Sequence, residues 1–444
     1  MSTNPHEIDK LVYSAVFGNP EEKQESRYKI WHLGKENGVI CASINDFYMA
    51  HGRSEVDEVF TVPAMNLRGM TYDLARSAFQ AAKKLSVGPM IFEIARSEMA
   101  YTNQPPLEYT TVIMAAALRE GWSGPLFIQG DHFQAKAASM GVVKQGEIDS
   151  IKELIKKAVN AGFYNIDIDM STLVDLGAQS VEKEQQPNIE NSLELAKFVR
   201  EIEPEGVTIS LGGEIGHIGG KNSTVDDARA FIKGFNDGKP EDMVGMSKIS
   251  VATGTSHGGV VLADGSLANI DVDFSILSSI SKVCRQEFNI GGTVQHGAST
   301  LPDEYFQEFP KSEAIEVHLA TGFQNIQMDH PDFPKQLLEK IYKWLDQTKQ
   351  EERSEDMTDE QFHYKLRKKA WGHFKQECWD MPEANRNAIM QTLTQRFEFL
   401  FKALGVDDTR NSLDKFVQPV IVEKKLGDFV DLGDKPKDVI GLSD

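Results

Sequence analysis

Residues 124–171 decide the fold class, and their sequence is GPLFIQGDHFQAKAASMGVVKQGEIDSIKELIKKAVNAGFYNIDIDMS. The stretch begins with an apolar, strand-like run, Gly124–His132, and ends with another, Asn165–Ser171. Between the two runs, apolar residues recur at the i, i+3, i+4, i+7 spacing of a helix that stops at Gly162: Ile148, Ile151, Leu154, Ile155 and Ala158. Because a parallel return between strands needs a crossover, this pattern predicts a βαβ unit.

The same alternation of strand and helix continues on both sides of this unit. The eight candidate strands are Val59–Asn66, Gly88–Ala95, Gly124–His132, Asn165–Ser171, Val207–Ile215, Lys248–Ser256, Asn289–Gly297 and Asn325–His330. Eight strands with intervening helices predict an α/β fold, a closed (β/α)8 TIM barrel, and a doubly wound open sheet is the alternative.

The barrel leaves chain at both ends. We expect an N-terminal segment at 1–58, the (β/α)8 barrel at 59–349, and a mainly helical C-terminal extension and tail at 350–444. After Pro382, apolar residues form a helical stripe that packs on the barrel or on another subunit: Ile389, Leu393, Phe397, Leu400 and Leu404.

Composition excludes several classes of protein. The chain has 444 residues, 47 Lys and Arg, 67 Asp and Glu, and a formal charge of −20, which argues against nucleic-acid binding. Its three cysteines are far apart and in no Cys-x-x-Cys pair, so neither a disulfide framework nor a thiolate zinc site is expected. The polar N-terminus and the lack of a long apolar run predict a cytoplasmic protein without a membrane span.

Polar residues gather where the predicted strands end. His132, His257 and His296 lie at or next to the ends of strands three, six and seven. The carboxyl ends of barrel strands converge on one mouth. Three imidazoles with one open position form a common ligand set for catalytic zinc, so we expect one Zn²⁺ there.

Carboxylates and glycine turns surround the same mouth. Asp131 is a candidate general acid/base, with the alternative that it only orients a ligand histidine. Glu214 and Asp169 either bind a second or displaced cation, divalent or monovalent, or hold imidazoles. The turns at Gly258 and at Gly297-Ala298-Ser299 offer backbone N–H and hydroxyl groups to a phosphate.

Six motifs occur in order along the chain: VPAMN at 62–66, GDH at 130–132, IDMS at 168–171, EIGHIGG at 214–220, GTSHG at 254–258 and HGAS at 296–299. Together they resemble the class II, zinc-dependent fructose-bisphosphate and tagatose-bisphosphate aldolases.

The resemblance implies an enzyme that cleaves or forms a carbon–carbon bond in a ketose phosphate. Zinc on the three histidines would polarise the donor carbonyl and stabilise its enediolate, and Asp131 would transfer the proton of the substrate hydroxyl. Gly258 and the turn Gly297-Ala298-Ser299 match phosphate-binding turns. Relatives form dimers or tetramers, so a homodimer or a higher homo-oligomer is expected.

The chain also departs from the family pattern around the substrate. An acidic residue is usual after Gly219-Gly220, but Lys221–Thr224 stands there, and Ala95 replaces a serine. The family's Asn-Ile-Asp-Thr segment on the last strand is compared with Gln327-Met328-Asp329-His330, which assigns Gln327, Asp329 and His330 to the substrate. These differences predict a retained zinc site and a changed substrate.

Two alternative functions remain open. The first is a non-catalytic barrel subunit that stabilises a partner tagatose-bisphosphate-type aldolase, which the long C-terminal extension favours. The second is a metal-dependent epimerase or isomerase of sugar phosphates that uses the same enediolate.

Overall fold

A closed barrel of eight parallel strands forms the core of the protein. The computed structural model describes residues 4–216, 221–254 and 272–430. The barrel strands are β1 Val62–Asn66, β2 Ile91–Ala95, β3 Gly124–Gln134, β4 Asn165–Asp169, β5 Ser210–Glu214, β6 Lys248–Val251, β7 Thr293–Gln295 and β8 Glu316–Leu319. Because β8 pairs with β1 and β3 with β4, the sheet closes on itself. The predicted (β/α)8 barrel is confirmed.

Helices connect the strands on the outside of the barrel. The α-helices from β1 onward are Thr71–Lys84, Arg96–Thr102, Pro106–Arg119, Glu147–Ala161, Val181–Ile202, Val225–Gly238, Phe274–Phe288, Glu308–Lys311, Thr321–Met328 and Lys335–Thr348. The described loops contain the 3-10 turns Ser171–Leu173 and Asp303–Tyr305 and a hairpin formed by Ala137–Ser139 and Val142–Val143. None of the helices in the described ranges is long and apolar enough to cross a membrane.

The helix predicted between β3 and β4 shows how local sequence makes these elements. Four residues of its apolar stripe are buried, and Ile148 is half-buried. The helix ends at Gly162, which has φ of +99°. A Cβ atom on Gly162 would lie 2.9 Å from the sulfur of Cys41, so both the backbone angle and the close contact favour glycine there.

The last predicted strand, Asn325–His330, is wrong. These residues form the end of the helix Thr321–Met328 and the turn after it, and the barrel is closed instead by β8. Four residues of β8 pair with β1, from Glu316 beside Val62 to Leu319 beside Met65. Because polar and apolar residues alternate along β8, it lacks the apolar run by which the other strands were recognised.

The N-terminal segment lies against the amino ends of the strands. It contains helices Pro5–Phe17 and Pro20–Glu36, a short strand Val39–Cys41 that pairs with the start of β3, and helix Asn45–Gly52. From this last helix the Tyr48 hydroxyl donates a hydrogen bond to Glu316 at 2.5 Å, and His51 Nδ1 lies 3.1 Å from the carbonyl oxygen of Gly291. Helix Asn45–Gly52 therefore covers the end of the barrel opposite its mouth.

The C-terminal region is mainly helical, as predicted. It contains α-helices Asp359–Leu366, Lys375–Trp379, Glu383–Ala403 and Arg410–Phe416, and 3-10 turns Gln350–Glu352, Arg367–Ala370 and Leu426–Phe429. Helix Glu383–Ala403 packs on helix Thr71–Lys84 of the barrel, where the Ser77 hydroxyl donates to the Met390 carbonyl at 3.2 Å. The residues of the predicted stripe are all buried, so this stripe packs on the barrel of its own chain.

His51 makes the stability of the fold depend on pH. Burial, reinforced by the charge of Arg285, lowers the pKa of His51 to about 4, whereas in the unfolded chain it is about 6.5. Between these values the unfolded chain takes up a proton that the folded chain does not, so stability falls as the pH falls.

We expect His51→Asn to remove this dependence, since asparagine donates to the Gly291 carbonyl but does not titrate. From pH 7 to pH 5, the wild type should lose about 2 kcal/mol more unfolding free energy than the variant. Denaturant unfolding at both pH values measures the difference, and equal losses in the two proteins would contradict the assignment.

Candidate functional site

An irregularity at the carboxyl end of β3 determines the geometry of the mouth. The pairing of β3 with β4 shifts register between Gly130 and Phe133, and His132 has a left-handed φ of +41°. A Cβ atom on Gly130 would lie 2.5 Å from the ring of Phe133. In a regular strand Asp131 and His132 would point to opposite faces, but this bulge brings both into one buried cluster at the mouth.

Among the described residues, three imidazoles meet at this mouth. The ring centroid of His296 lies 4.0 Å from that of His132 and 4.1 Å from that of His318. All three side chains are buried, and His296 Nε2 lies 3.0 Å from the hydroxyl of Ser250 on β6. His132 and His296 were predicted from the sequence, and His318 on β8 was not.

Two predicted carboxylates hold His132 from one side. His132 Nδ1 lies 3.1 Å from Asp169 Oδ2 and 3.0 Å from Glu214 Oε2. Burial raises the pKa of Asp169, but the hydrogen bond and charge of His132 outweigh it and hold that pKa at about 2. Burial and the charge of Asp169 raise the pKa of Glu214 to about 8. The same buried site therefore shifts the two carboxyl groups in opposite directions, lowering the pKa of Asp169 and raising that of Glu214.

Asp131 is oriented through both of its carboxylate oxygens. Asn66 Nδ2 donates to Oδ2 at 2.8 Å, and His318 Nδ1 lies 3.1 Å from Oδ1. The same Asn66 amide donates to Glu98 at 2.8 Å, which fixes its own position. Burial raises the pKa of Asp131, but the charges of His132 and His318 hold it well below its usual value, so Asp131 is a carboxylate.

The donor atoms at the mouth suit a metal ion. One atom from each of Asp131, His132 and His296 lies within 4.8 Å of the others, and the same is true of His132, Asp169 and Glu214. Imidazole nitrogens and carboxylate oxygens in a buried cluster are the ligand types that divalent zinc takes in catalytic sites. These residues therefore fit a divalent metal. The remaining predicted ligand, His257, and the predicted phosphate-binding Gly258 lie outside the described residues.

Below the mouth the barrel contains charged and amide side chains. The Lys248 ammonium on β6 lies 2.9 Å from Asp167 Oδ1. It donates hydrogen bonds to Gln129 Oε1 at 2.8 Å and to Glu316. Gln129 Nε2 in turn donates to Glu93 at 2.8 Å and to Glu316 at 2.9 Å. Barrel interiors are usually filled by branched apolar residues, and buried charges are tolerated only when they are paired. This group of five residues is named the inner polar layer.

Sequence reasoning missed most of the inner polar layer and His318. Along β8 the polar residues Glu316 and His318 alternate with Val317 and Leu319, which is the pattern of a strand with one polar face. In a closed barrel the polar face of such a strand can point inward, so this alternation is the signal that could have identified His318.

The predicted phosphate-binding turn follows β7. Gly297 has φ of +70°, Ala298 is buried, and the hydroxyl of Ser299 accepts a hydrogen bond from Gly322 N at 3.1 Å. Gly322 lies in the first turn of the helix after β8. The turn therefore packs against the beginning of that helix, on the mouth side of the barrel.

Gln327, Asp329 and His330 lie at the end of that helix rather than on a strand. The Gln327 amide bonds to the backbone of Arg68 and Met70 at 3.3 Å. Asp329 forms an ion pair with Arg367, and His330 Nε2 lies 3.0 Å from the Thr392 hydroxyl. Asp329 and His330 thus contact the C-terminal region. The prediction that Gln327, Asp329 and His330 lie on the last strand is wrong, because they lie in and directly after a helix. The carboxyl end of the last strand is instead formed by His318 and Leu319.

The sequence matches the family model of class II fructose-bisphosphate aldolases over residues 55–369. The chain belongs to this family. The resemblance drawn from the six motifs is thereby confirmed, and the match ends before most of the C-terminal region. No sequence among the curated proteins matches the chain.

Solved structures with the same fold include proteins that are named for different activities. The YdjI aldolase of Escherichia coli has 13% identity and a TM-score of 0.50, with 83% of this chain and 99% of that chain covered. The fructuronate-tagaturonate epimerase UxaE of Cohnella laeviribosi has 13% identity and a TM-score of 0.55, with 79% and 82% covered. A probable tagatose 6-phosphate kinase of Sinorhizobium meliloti has 11% identity and a TM-score of 0.53, with 80% and 93% covered. At these identities the likeness concerns the fold.

We expect His132→Ala to remove most of the bound metal, because His132 belongs to two donor sets, one with Asp131 and His296 and one with Asp169 and Glu214. Metal analysis of the purified proteins by mass spectrometry checks this. The control is His363→Ala, a histidine that pairs with Asp346 at the surface and should leave the metal content unchanged. A folded His132→Ala protein that retains the metal content of the wild type would contradict the assignment.

Proposed function

We propose that the protein is a metal-dependent aldolase, a carbon–carbon lyase that cleaves or forms a ketose phosphate. The observation that carries this proposal is the β3 bulge, which places the Asp131 carboxylate beside the imidazoles of His132 and His296. Proton transfer and metal binding are thereby brought to adjacent residues of one strand, which is the arrangement that a carbonyl substrate needs.

The metal ligands that we propose are His132, His257 and His296, with Glu214 and Asp169 available to a second or displaced cation. The donor types and the burial of the four described residues support this assignment. Zn²⁺, when bound, would supply the Lewis acidity that polarises the donor carbonyl and stabilises its enediolate.

Asp131 would transfer the proton. In cleavage its carboxylate accepts the proton of the substrate hydroxyl as the carbon–carbon bond breaks, and the bonding electrons pass to the carbon next to the carbonyl. In the reverse reaction, the aldol addition, the protonated Asp131 returns that proton to the aldehyde oxygen. The contacts of Asn66 and His318 orient the Asp131 carboxylate for this role. The charges of His132 and His318 hold its pKa well below its usual value, so the group is ionised before substrate binds.

The substrate phosphate would lie at the turns after β6 and β7. Gly258 and Gly297-Ala298-Ser299 are the proposed contacts, and the left-handed φ of Gly297 supports a turn that exposes backbone N–H groups. On an acidic chain of −20, an anionic substrate depends on such local groups and on the metal.

A second candidate is a metal-dependent epimerase that uses the same enediolate. This candidate is included because, of the three structures above, the fructuronate-tagaturonate epimerase has the highest TM-score with this chain. A non-catalytic subunit is a weaker alternative, because a structural barrel has no need of several buried imidazoles and carboxylates at its mouth.

The deciding experiment supplies ketose mono- and bisphosphates to the metal-loaded protein and follows the products by NMR. Release of a triose phosphate, lost on chelation and restored by zinc, is expected for the aldolase. Conversion to an isomeric sugar without cleavage identifies the epimerase. Absence of turnover together with co-purification of a second aldolase chain identifies the supporting subunit.

We expect Asp131→Asn to lower kcat by roughly 10²–10⁴-fold, the range by which a general acid/base contributes. Metal content should be retained, because the imidazoles and the other carboxylates remain. The matched control is Asp237→Asn, an exposed carboxylate that pairs with Lys233. Steady-state cleavage rates give the comparison, and an Asp131→Asn enzyme as fast as its control would rule out the proposed role.

We further propose a cytoplasmic homodimer or higher homo-oligomer. Cys41, Cys284 and Cys378 are buried and unpaired, which supports a reducing compartment. Light scattering on the purified chain measures the oligomeric state.

A further inference from the structure

His318 lies between the mouth of the barrel and the inner polar layer, and both of its ring nitrogens face carboxylates. Nδ1 is 3.1 Å from Asp131 Oδ1, and Nε2 is 2.6 Å from Glu316 Oε1. The side chain is 3% exposed. We propose that His318 is a positioning residue, which holds the Asp131 carboxylate in the orientation that proton transfer requires. This inference rests on the function proposed for Asp131.

Glu316 fixes the lower edge of the His318 ring. Its carboxylate accepts hydrogen bonds from Tyr48, Gln129 and Lys248 as well as from His318. A carboxylate with that many partners cannot follow a moving imidazole, so the Nε2 side of the ring is anchored. The chain of contacts runs from Tyr48, on the helix that covers the base of the barrel, through Glu316 and His318 to Asp131.

The upper edge of the ring has two carboxyl groups within reach, and geometry selects between them. Glu93 Oε1 also lies 3.1 Å from His318 Nδ1, but it is outside hydrogen-bonding geometry. The Nδ1–H group is therefore directed to Asp131 Oδ1. With Asn66 on Oδ2, one donor from each side determines the plane of the Asp131 carboxylate.

Unlike His132 and His296, His318 is not proposed as a metal ligand, and its contacts give the reason. Each of its nitrogens is directed to a carboxylate, so no nitrogen is left for a metal. A metal between Glu93, Asp131, Asp167 and His318, whose donor atoms are close enough together, would also lie beside Lys248. The lysine ammonium is already 2.9 Å from Asp167, and its charge opposes a second cation there.

Two substitutions separate the edges of the ring. Asparagine at position 318 places its amide near the position of Nδ1 and retains a donor for Asp131, whereas glutamine reaches the position of Nε2 and retains the donor for Glu316. We expect His318→Asn to keep kcat within about tenfold of wild type and His318→Gln to lose about 10²-fold, the effect of a small misplacement of a reacting group.

Both variants should keep the metal content of the wild type and a KM within about threefold, because the proposed role concerns orientation and not binding. His363→Gln is the control for the substitution itself. A greater loss of kcat in His318→Asn than in His318→Gln, or equal losses in both, would overturn the proposal. Loss of metal in both variants would make His318 a ligand instead.

A measurement without turnover separates this proposal from the proposed function. Proton NMR of the metal-loaded protein should show a downfield resonance from His318 Nδ1–H, assigned by its absence in both His318 variants. The resonance should shift in Asp131→Asn and remain in place in Asp237→Asn. A resonance that does not shift in Asp131→Asn would contradict the positioning role. A wild-type protein that is inactive on every ketose phosphate would contradict the aldolase proposal, but it would not affect the NMR result.

Discussion

The ammonium group of Lys248 is the interaction on which the interior of the barrel depends. It lies within the barrel and contacts side chains from three other strands, Gln129 of β3, Asp167 of β4 and Glu316 of β8. Carboxylates in a low-dielectric interior are tolerated only when a positive charge or several hydrogen bonds compensate them. Lys248 supplies that compensation, and Glu316, so held, can accept the hydrogen bond of His318.

The mouth of the barrel depends on a second constraint, the bulge in β3. A left-handed residue other than glycine is costly, and such residues persist where the surroundings determine them, often at functional sites. At His132 the surroundings include Asp169, Glu214 and the ring of His296. The bulge brings two consecutive side chains into one site, so that the proposed acid/base and a proposed metal ligand are neighbours in the chain.

Two departures from the expected family pattern, Ala95 and Lys221–Thr224, lie within the described residues. Ala95 lies at the end of β2, and Ser223 uses its hydroxyl to accept a hydrogen bond from Ala252 N at 2.9 Å, so this part of the loop after β5 is engaged with the backbone. The C-terminal region, which lies mostly beyond the family match, is held to the barrel by the Arg367–Asp329 ion pair and by the helix Glu383–Ala403. Through these contacts the C-terminal region covers part of the outside of the barrel.

The sequence by itself determined the fold class and part of the site. Apolar runs separated by helical periodicity identified seven of the barrel strands, because strand and helix periods are local properties of the chain. The polar ends of those runs identified Asp131, His132, Asp169, Glu214 and His296, which the structure brings together, since parallel strands deliver their carboxyl ends to one mouth.

Only the tertiary structure decided β8, the β3 bulge and the inner polar layer. The short alternating segment at 316–319 becomes a barrel strand because it pairs with β1, and that pairing is not visible in the local pattern. The side chains of Glu93, Gln129, Asp167, Lys248 and Glu316 are far apart in the chain and meet only when the sheet closes. Lys248 pairs with Asp167 and Glu316, and the Gln129 amide donates to Glu93 and Glu316. Such contacts between distant residues are a property of the closed fold.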